Sequence, residues 1–330
     1  MKSIFFNERP AKFASVWGGG LDAKASALYG APARVFTRED LGTEDFSGVE
    51  YIFSTWGMPV LTEEEIAAYF PALRAVFYAA GTVQAFARPF LARGVRIFSA
   101  WRANALPVIE YSVSQILLAN KGFFVLSRRT QADRKAAKKL FAAYPGNFGA
   151  KVGILGDGAI GSGVIAELLR HRLEILVFSI TMSAERAAGL GVRLASLEEI
   201  FAECDVISNH LANNAQTAGM LNRALLSSMK PYATFINTGR GAQVDEDALC
   251  DKLEADPTVT AVLDVTFPEP PEAGSRLLTL PNVILTPHIA GSSGDEVRRM
   301  AEYMLEEAAL FEAGKPTRYE VTPAMLDTMA

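Results

Sequence analysis

Lys151-Val-Gly-Ile-Leu-Gly-Asp-Gly-Ala-Ile-Gly-Ser-Gly-Val-Ile-Ala-Glu-Leu-Leu-Arg170 reads as a short buried strand that runs into a glycine-punctuated turn and then a helix. Gly156, Gly158 and Gly161 have the G-x-G-x-x-G spacing. The first glycine permits a tight turn, the second lets a pyrophosphate approach the backbone, and the third lets helix and strand pack closely. The helix that follows offers unpaired N–H groups and the positive end of its dipole to such a phosphate. Apolar Val152 to Leu155 before the turn, and the face Val164, Ile165, Leu168 and Leu169 after it, supply the strand and helix that the motif requires.

Working outward, strands at Val152–Leu155, Ile175–Phe178, Val206–Ser208, Thr234–Ile236, Ala261–Leu263 and Val283–Leu285 recur with helical segments between most of them, as in a dinucleotide-binding domain. Before residue 100 a first α/β unit takes short β-rich runs at Ile4–Phe6, Arg34–Phe36, Tyr51–Phe53, Ala75–Tyr78 and Arg96–Phe98. Gly18-Gly19-Gly20 lacks a preceding strand and reads as a plain turn. Asn104 is expected to cap a helix whose first turn accepts Pro107 and whose apolar face is Ile109, Val113, Ile116 and Leu117. Ser293 and Glu296 make a capping box for a last helix with the stripe Val297, Met300, Ala301, Met304, Leu305, Ala308 and Phe311, expected to pack back on the first unit.

Composition narrows the function. The chain has 330 residues, half of them hydrophobic, and a net charge of -5, which argues against nucleic acid or an anionic membrane as the main partner. The basic cluster Arg128, Arg129, Arg134, Lys135, Lys138 and Lys139 reads as the solvated face of a helix. Cys204 and Cys250 lie far apart among apolar neighbours and read as free thiols, which fits a cytoplasmic location. No run reaches the length of a membrane span, and His171, His210 and His288 are too dispersed for a metal cluster.

The chemistry concentrates beyond strand ends, where open α/β sheets bind ligands. Phe235-Ile-Asn-Thr-Gly-Arg-Gly-Ala-Gln-Val-Asp245 is a strand ending in a glycine-flanked Arg240, after which Asp245 begins a helix. A guanidinium suits a carboxylate because its donors match both oxygens at once. Leu263-Asp-Val-Thr-Phe-Pro-Glu-Pro-Pro271 and Thr286-Pro-His-Ile-Ala-Gly291 place Asp264, Glu269 and His288 beyond the next two strands. A histidine beside a carboxylate is a usual make-up for a proton donor, since the acid orients the ring and stabilises imidazolium.

From Gly81 through Gly291 the chain resembles the D-isomer-specific 2-hydroxyacid dehydrogenase family. The resemblance rests on the glycine loop, Asn237-Thr-Gly-Arg-Gly241, Asp264-Val265 with Glu269 five residues after the aspartate, and Thr286-Pro-His-Ile-Ala-Gly291. It implies an α/β fold of two doubly wound parallel-sheet domains. One is a flavodoxin-like, discontinuous substrate-binding domain of residues 1–101 and 293–330; the other is a Rossmann NAD(P)-binding domain of residues 102–292. It further implies that Arg240 holds the 2-oxo acid, that His288 is the acid/base and that Glu269 pairs with it. Asp264 would contact the nicotinamide carboxamide. The backbone near Ala80, Gly81 and Thr82 would hold the substrate carboxylate, with Asn104 also on the substrate side. Gly156, Gly158, Ala159, Ile160, Gly161, Ser179, His210 and Thr238 would join Asp264 around the cofactor, NAD or NADP with NAD slightly favoured. No metal is expected, and a homodimer is.

Three departures qualify the resemblance. The acid that usually selects NAD at the end of the second cofactor strand is Ser179 here, so cofactor choice is open, with Arg186, Thr181 and Ser183 as the nearby candidates. Ala212 stands where a proline usually follows His210-Leu211, and His210 reads as structural or cofactor-lining. Trp101-Arg102 replaces a turn that is usually Pro-Gly-like, and with Trp56 and Tyr78 it reads as packing before it reads as a pocket wall. The expected function is reduction of a small 2-oxo acid to its D-2-hydroxy acid, with a nicotinamide-sensing, corepressor-like binding protein as the alternative. Formate or phosphite oxidation is disfavoured because formate-oxidising relatives replace the histidine's carboxylate partner by an amide, and Glu269 is present.

Overall fold

The computed structural model describes residues 2–327 and divides into two compact units. One comprises the chain up to Ala105 together with the chain from Ser292; the other is Leu106–Gly291.

In the first unit β1 (Ser3–Phe6), β2 (Val35–Phe36), β3 (Tyr51–Ser54), β4 (Ala75–Tyr78) and β5 (Arg96–Ser99) pair in parallel in the order β2-β1-β3-β4-β5. Every residue of β1, β3 and β4 is buried. A sheet covered on both faces needs side chains that are apolar on both, which is why these strands read as continuous apolar runs and do not alternate. Ile4, Phe6, Ile52, Val76 and Ile97 feed the core on one face. Phe5, Phe53, Phe77 and Phe98 feed the other, where the ring centroids of Phe53 and Phe77 lie 5.3 Å apart and those of Phe77 and Phe98 5.1 Å apart. The helix Arg298–Glu312 lays Met300, Ala301, Met304, Leu305 and Ala308 on that second face, so the expected stripe is indeed buried against this unit.

In the second unit β6 (Phe148–Leu155), β7 (Arg172–Phe178), β8 (Arg193–Leu194), β9 (Val206–Asn209), β10 (Thr234–Asn237), β11 (Thr260–Leu263) and β12 (Val283–Leu285) form a wholly parallel sheet ordered β8-β7-β6-β9-β10-β11-β12. Strand order reverses between β6 and β9, and a doubly wound sheet opens its ligand crevice at that point. The last strand of the chain, β13 (Glu320–Val321), returns to the first unit and runs antiparallel to β5. It is fixed by Glu307, a carboxylate inside the otherwise apolar helical stripe, which accepts from the backbone N–H groups of Arg318 and Tyr319 at 2.9 and 3.0 Å.

One boundary differs from expectation. The helix expected to start after Asn104 begins at Trp101 and runs to Ala119, so Pro107 lies inside it. The chain leaves buried Ser99 and Ala100 directly into helical geometry, and the Asn104 N–H already donates to Ala100 O at 3.1 Å. Its side chain caps nothing; Oδ1 accepts from the Ser292 N–H at 3.2 Å. The basic cluster lies on the helices Phe123–Ala132 and Arg134–Leu140 with all six residues exposed, as a solvated face should be. Both cysteines are free and buried. Among the described residues no helix is long and apolar enough to cross a membrane.

Candidate active site

Because all seven strands of the second unit are parallel, their carboxyl ends share one edge, and every loop singled out in this part of the sequence starts there. After β6 the glycine loop leads into the helix Ala159–Leu168, whose N-cap is Gly158 with no side-chain cap. A Cβ on Gly161 would stand 1.9 Å from Gly156 O, so only glycine lets the helix start this close to the strand end. A Cβ on Gly158 would meet nothing within 4 Å, which leaves open space over the loop. With Ala159 and Ile160 in its uncapped first turn, the helix fits a bound pyrophosphate.

After β10, a net of buried amides shapes the arginine loop. Asn209 Nδ2 donates to Asn237 Oδ1 at 3.0 Å and to Gln243 Oε1 at 2.7 Å, and Gln243 Nε2 donates to the carbonyls of Leu211 and Ala212 at 3.0 and 2.9 Å. Asn237 accepts from Gly239 N–H at 3.0 Å and donates to Arg240 O at 3.1 Å, clamping the turn from both sides. Arg240 is half-buried, and its Nη1 donates to Gly239 O at 2.8 Å. A Cβ on Gly241 would lie 2.0 Å from the backbone carbon of Thr266, so the arginine loop and the loop after β11 touch backbone to backbone.

That second loop carries Glu269, whose Oε1 lies 2.6 Å from His288 Nδ1. The two groups meet although they stand 19 positions apart in sequence, and both keep part of their surface exposed, 41% for Glu269 and 47% for His288. His288 has a φ of 55°, a left-handed conformation rare for a residue with a Cβ. Asp264, 2% exposed, holds the loop in that shape: Oδ1 accepts from the Thr286 hydroxyl at 2.6 Å and the Ile289 N–H at 2.8 Å, and Oδ2 from the Ala290 N–H at 2.9 Å. The Tyr111 hydroxyl, 3.2 Å from that of Thr286, extends the chain. The aspartate expected against the carboxamide thus also accepts three hydrogen bonds from the histidine loop.

The other expected cofactor residues lie around the crevice. His210 is buried with Nε2 2.9 Å from Ser208 Oγ and Nδ1 3.4 Å from Thr238 Oγ1, and burial pulls its pKa down to about 4. The imidazole is therefore neutral near pH 7. Ser179 lies in a polar cluster with two of the candidates named beside it, Thr181 and Arg186, joined through Asp157, while Ser183 caps the helix that carries Arg186. The Ser179 hydroxyl donates to Asp157 Oδ1, which also accepts from Thr181 Oγ1 at 2.7 Å, while Arg186 Nη1 donates to Asp157 Oδ2 at 2.8 Å. Burial alone would raise the Asp157 pKa, but the donors from Ser179, Thr181 and Arg186 outweigh it and leave the carboxyl below its ordinary range.

The expected substrate residues Ala80, Gly81, Thr82 and Asn104 belong to the first unit. Ser99 Oγ donates to Ala80 O at 2.9 Å and to Gly81 O, pinning the loop after β4. A Cβ on Gly81 would lie 3.6 Å from Asn104 Nδ2, so those two expected residues are neighbours. The three aromatics have different nearest partners, Tyr78 on Phe86 at 4.9 Å, Trp101 on Tyr319 at 6.4 Å, and Trp56 under Lys12 Nζ at 4.4 Å, and Trp56 packs against the same core that holds Tyr78.

Known proteins share part of this sequence and the fold. Residues 113–290 match the family model described as D-isomer specific 2-hydroxyacid dehydrogenase, NAD binding domain. The chain is 33% identical over 240 residues to a D-3-phosphoglycerate dehydrogenase of Escherichia coli, covering 71% of this chain and 57% of that protein. It is 28% identical over 229 residues to one of Archaeoglobus fulgidus, covering 69% of this chain and 43% of that protein. The chain thus spans only about half the length of these curated relatives. In fold it is similar to a phosphoglycerate oxidoreductase from Rhizobium etli, with a TM-score of 0.77, 22% identity, and coverage of 98% of this chain and 99% of the other.

Proposed function

Because the chain belongs to the D-isomer specific 2-hydroxyacid dehydrogenase family, we propose that it moves a hydride between NAD(P)H and a small 2-oxo acid, giving a D-2-hydroxy acid. The observation that carries this reading is the 2.6 Å pairing of His288, on a loop fixed by Asp264, with Glu269, on a loop whose backbone touches that of Arg240. A bound nicotinamide supplies the hydride in reduction and takes it back in oxidation.

The residues divide the remaining work. Arg240 binds the acid through its guanidinium and polarises the 2-oxo group. With Nδ1 engaged by Glu269, His288 presents Nε2 and gives its proton to the carbonyl oxygen as the 2-carbon is reduced; in oxidation it takes the hydroxyl proton. Glu269 fixes the tautomer and ring plane, and Asp264 positions the loop. Gly156, Gly158 and Gly161 with the first turn of the following helix take the pyrophosphate, and neutral His210 with Thr238 lines the crevice.

The test is a panel of glyoxylate, hydroxypyruvate, pyruvate, and branched and aromatic 2-oxo acids with each reduced cofactor. It includes D-3-phosphoglycerate, the compound in the relatives' names, in the oxidative direction. Turnover of at least one is expected, falling by about 10²- to 10⁴-fold in His288→Gln with cofactor affinity retained. Tight cofactor binding with no turnover of any acid favours a nicotinamide sensor, and full turnover in His288→Gln removes the acid/base assignment.

A further inference from the structure

We propose that the cluster Ser179, Thr181 and Arg186, organised by Asp157, receives the 2′-phosphate of the adenosine ribose, so that NADPH and not NADH is the preferred cofactor. The inference rests on the cofactor half of the proposed function and reverses the sequence-based leaning towards NAD.

Position comes first. Ser179 directly follows β7, the strand beside β6 and its glycine loop, and in this fold that place faces the ribose 2′ position. An acid there holds a 2′-hydroxyl and repels a 2′-phosphate; a serine does not repel it. The next residue, Ile180, is 86% exposed, an apolar surface placed where an adenine ring would need one.

The charge of the cluster then sets its preference. Asp157, between the first two glycines of the loop, would repel a phosphate if it faced one. Its side chain is only 4% exposed, and its oxygens are taken by Ser179, Thr181 and Arg186. Arg186 is 48% exposed and forked, with Nη1 on Asp157 at 2.8 Å and Nη2 on Ser162 Oγ at 3.2 Å. A guanidinium carries about five N–H donors, so this fork leaves about three for a ligand. The buried carboxylate thus orients the arginine from behind, and the charge shown to solvent is positive. The hydroxyl of Ser179 also accepts from the N–H groups of Thr181 and Met182 at 3.0 and 2.9 Å, which fixes the turn presenting Thr181. Arg186 is the expected contact, and Asp157, Ser179 and Thr181, whose hydroxyl and N–H donate within the cluster, are positioning residues.

Calorimetric titration of the whole chain with NADPH, NADH, adenosine 2′,5′-bisphosphate and 5′-AMP tests this without using turnover. The bisphosphate is expected to bind about tenfold or more tighter than 5′-AMP, the scale of one or two charge-assisted hydrogen bonds. Arg186→Ala should erase that advantage while leaving NADH affinity little changed, and Arg186→Lys, a point charge without the fork, should keep only part of it. Thermal melts of both variants check that they fold. Equal binding of bisphosphate and 5′-AMP, NADH binding tighter than NADPH, or an undiminished advantage in Arg186→Ala would overturn the inference and leave the hydride-transfer reading standing. Binding of neither dinucleotide would sink both.

Discussion

Replacing Asp264 by Asn tests whether this carboxylate positions the histidine or touches the cofactor. The carboxylate accepts three hydrogen bonds, two on Oδ1 from Thr286 and Ile289 and one on Oδ2 from Ala290. An asparagine has one oxygen. If that oxygen stays on the Oδ1 side, the amide NH₂ faces the Ala290 N–H, donor against donor; if it flips, the Ile289 N–H loses its acceptor. Either way a backbone N–H in a site 2% exposed is orphaned, at about 1–3 kcal/mol, and the remaining bonds lose their ionic character, for a total of about 2–4 kcal/mol. These bonds hold His288 at φ 55°, a conformation that costs about 1–2 kcal/mol for a residue with a Cβ. Without them the loop relaxes towards ordinary φ and the imidazole leaves its place, a displacement worth about 10²-fold in turnover. The assay is kcat on the best 2-oxo acid alongside fluorescence titration of the reduced cofactor. The expected result is a loss of about 10²-fold in kcat with cofactor affinity nearly kept, and a melting temperature lower by roughly 4–10 °C. Unchanged kcat would refute a positioning role; collapsed cofactor affinity with a modest kcat effect would assign Asp264 to the carboxamide instead.

Two further predictions follow from the same edge of the sheet. His210 titrates at about 4 when folded, against an ordinary value of 6.5, because burial opposes its charge. Above pH 6.5 neither state is protonated and pH has no effect through this group; from 6.5 down to about 4 the unfolded chain binds the proton and the folded chain does not, so stability falls as pH falls, by about 3 kcal/mol in all. Urea midpoints followed between pH 7 and 4 should therefore decline less steeply in His210→Gln than in the parent, and parallel declines would contradict the buried-neutral assignment. Gly241→Ala drives a Cβ to 2.0 Å from backbone carbon of Thr266, where no side chain can swing away, so the arginine and glutamate loops must part. We expect a raised KM for 2-oxo acids and a lowered kcat together, and kinetics equal to the parent's would show that the loops tolerate separation.

Much of this was legible in the sequence because burial on both faces of a parallel sheet writes itself as apolar runs; fully buried Ala75–Tyr78 matches to the residue, and so does the half-buried edge strand Val283–Leu285. The two-residue edge strands Arg193–Leu194 and Glu320–Val321 are too short to carry a period. Asn104 looked like a cap because local chemistry favours asparagine there, yet the helix had already begun at Trp101 and the amide was needed by Ser292. The amide net of Asn209, Asn237 and Gln243 escaped notice since its members are single polar residues brought together only by adjacent strands. Asp157 sits between two loop glycines with no local sign of a role; its partner Arg186 lies 29 residues later, and nothing but the fold joins them.

The placement of the chemistry follows from strand direction. Arg240, Glu269 and His288 come from loops after β10, β11 and β12, which are consecutive neighbours in the sheet. Parallel strands stand about 4.8 Å apart, so the starts of the three loops span roughly 10 Å, within reach of one small substrate and two long side chains. In an antiparallel sheet alternate strands would end on opposite edges, and three successive strands could not pool their loops. Direction alone does not aim a side chain. For His288 the aim comes from a backbone conformation that the chain would not adopt unaided, held by three hydrogen bonds to one buried carboxylate. The stabilisation from those bonds exceeds the strain, so the imidazole is held towards Glu269 before any ligand arrives, and binding energy need not be spent on orienting it.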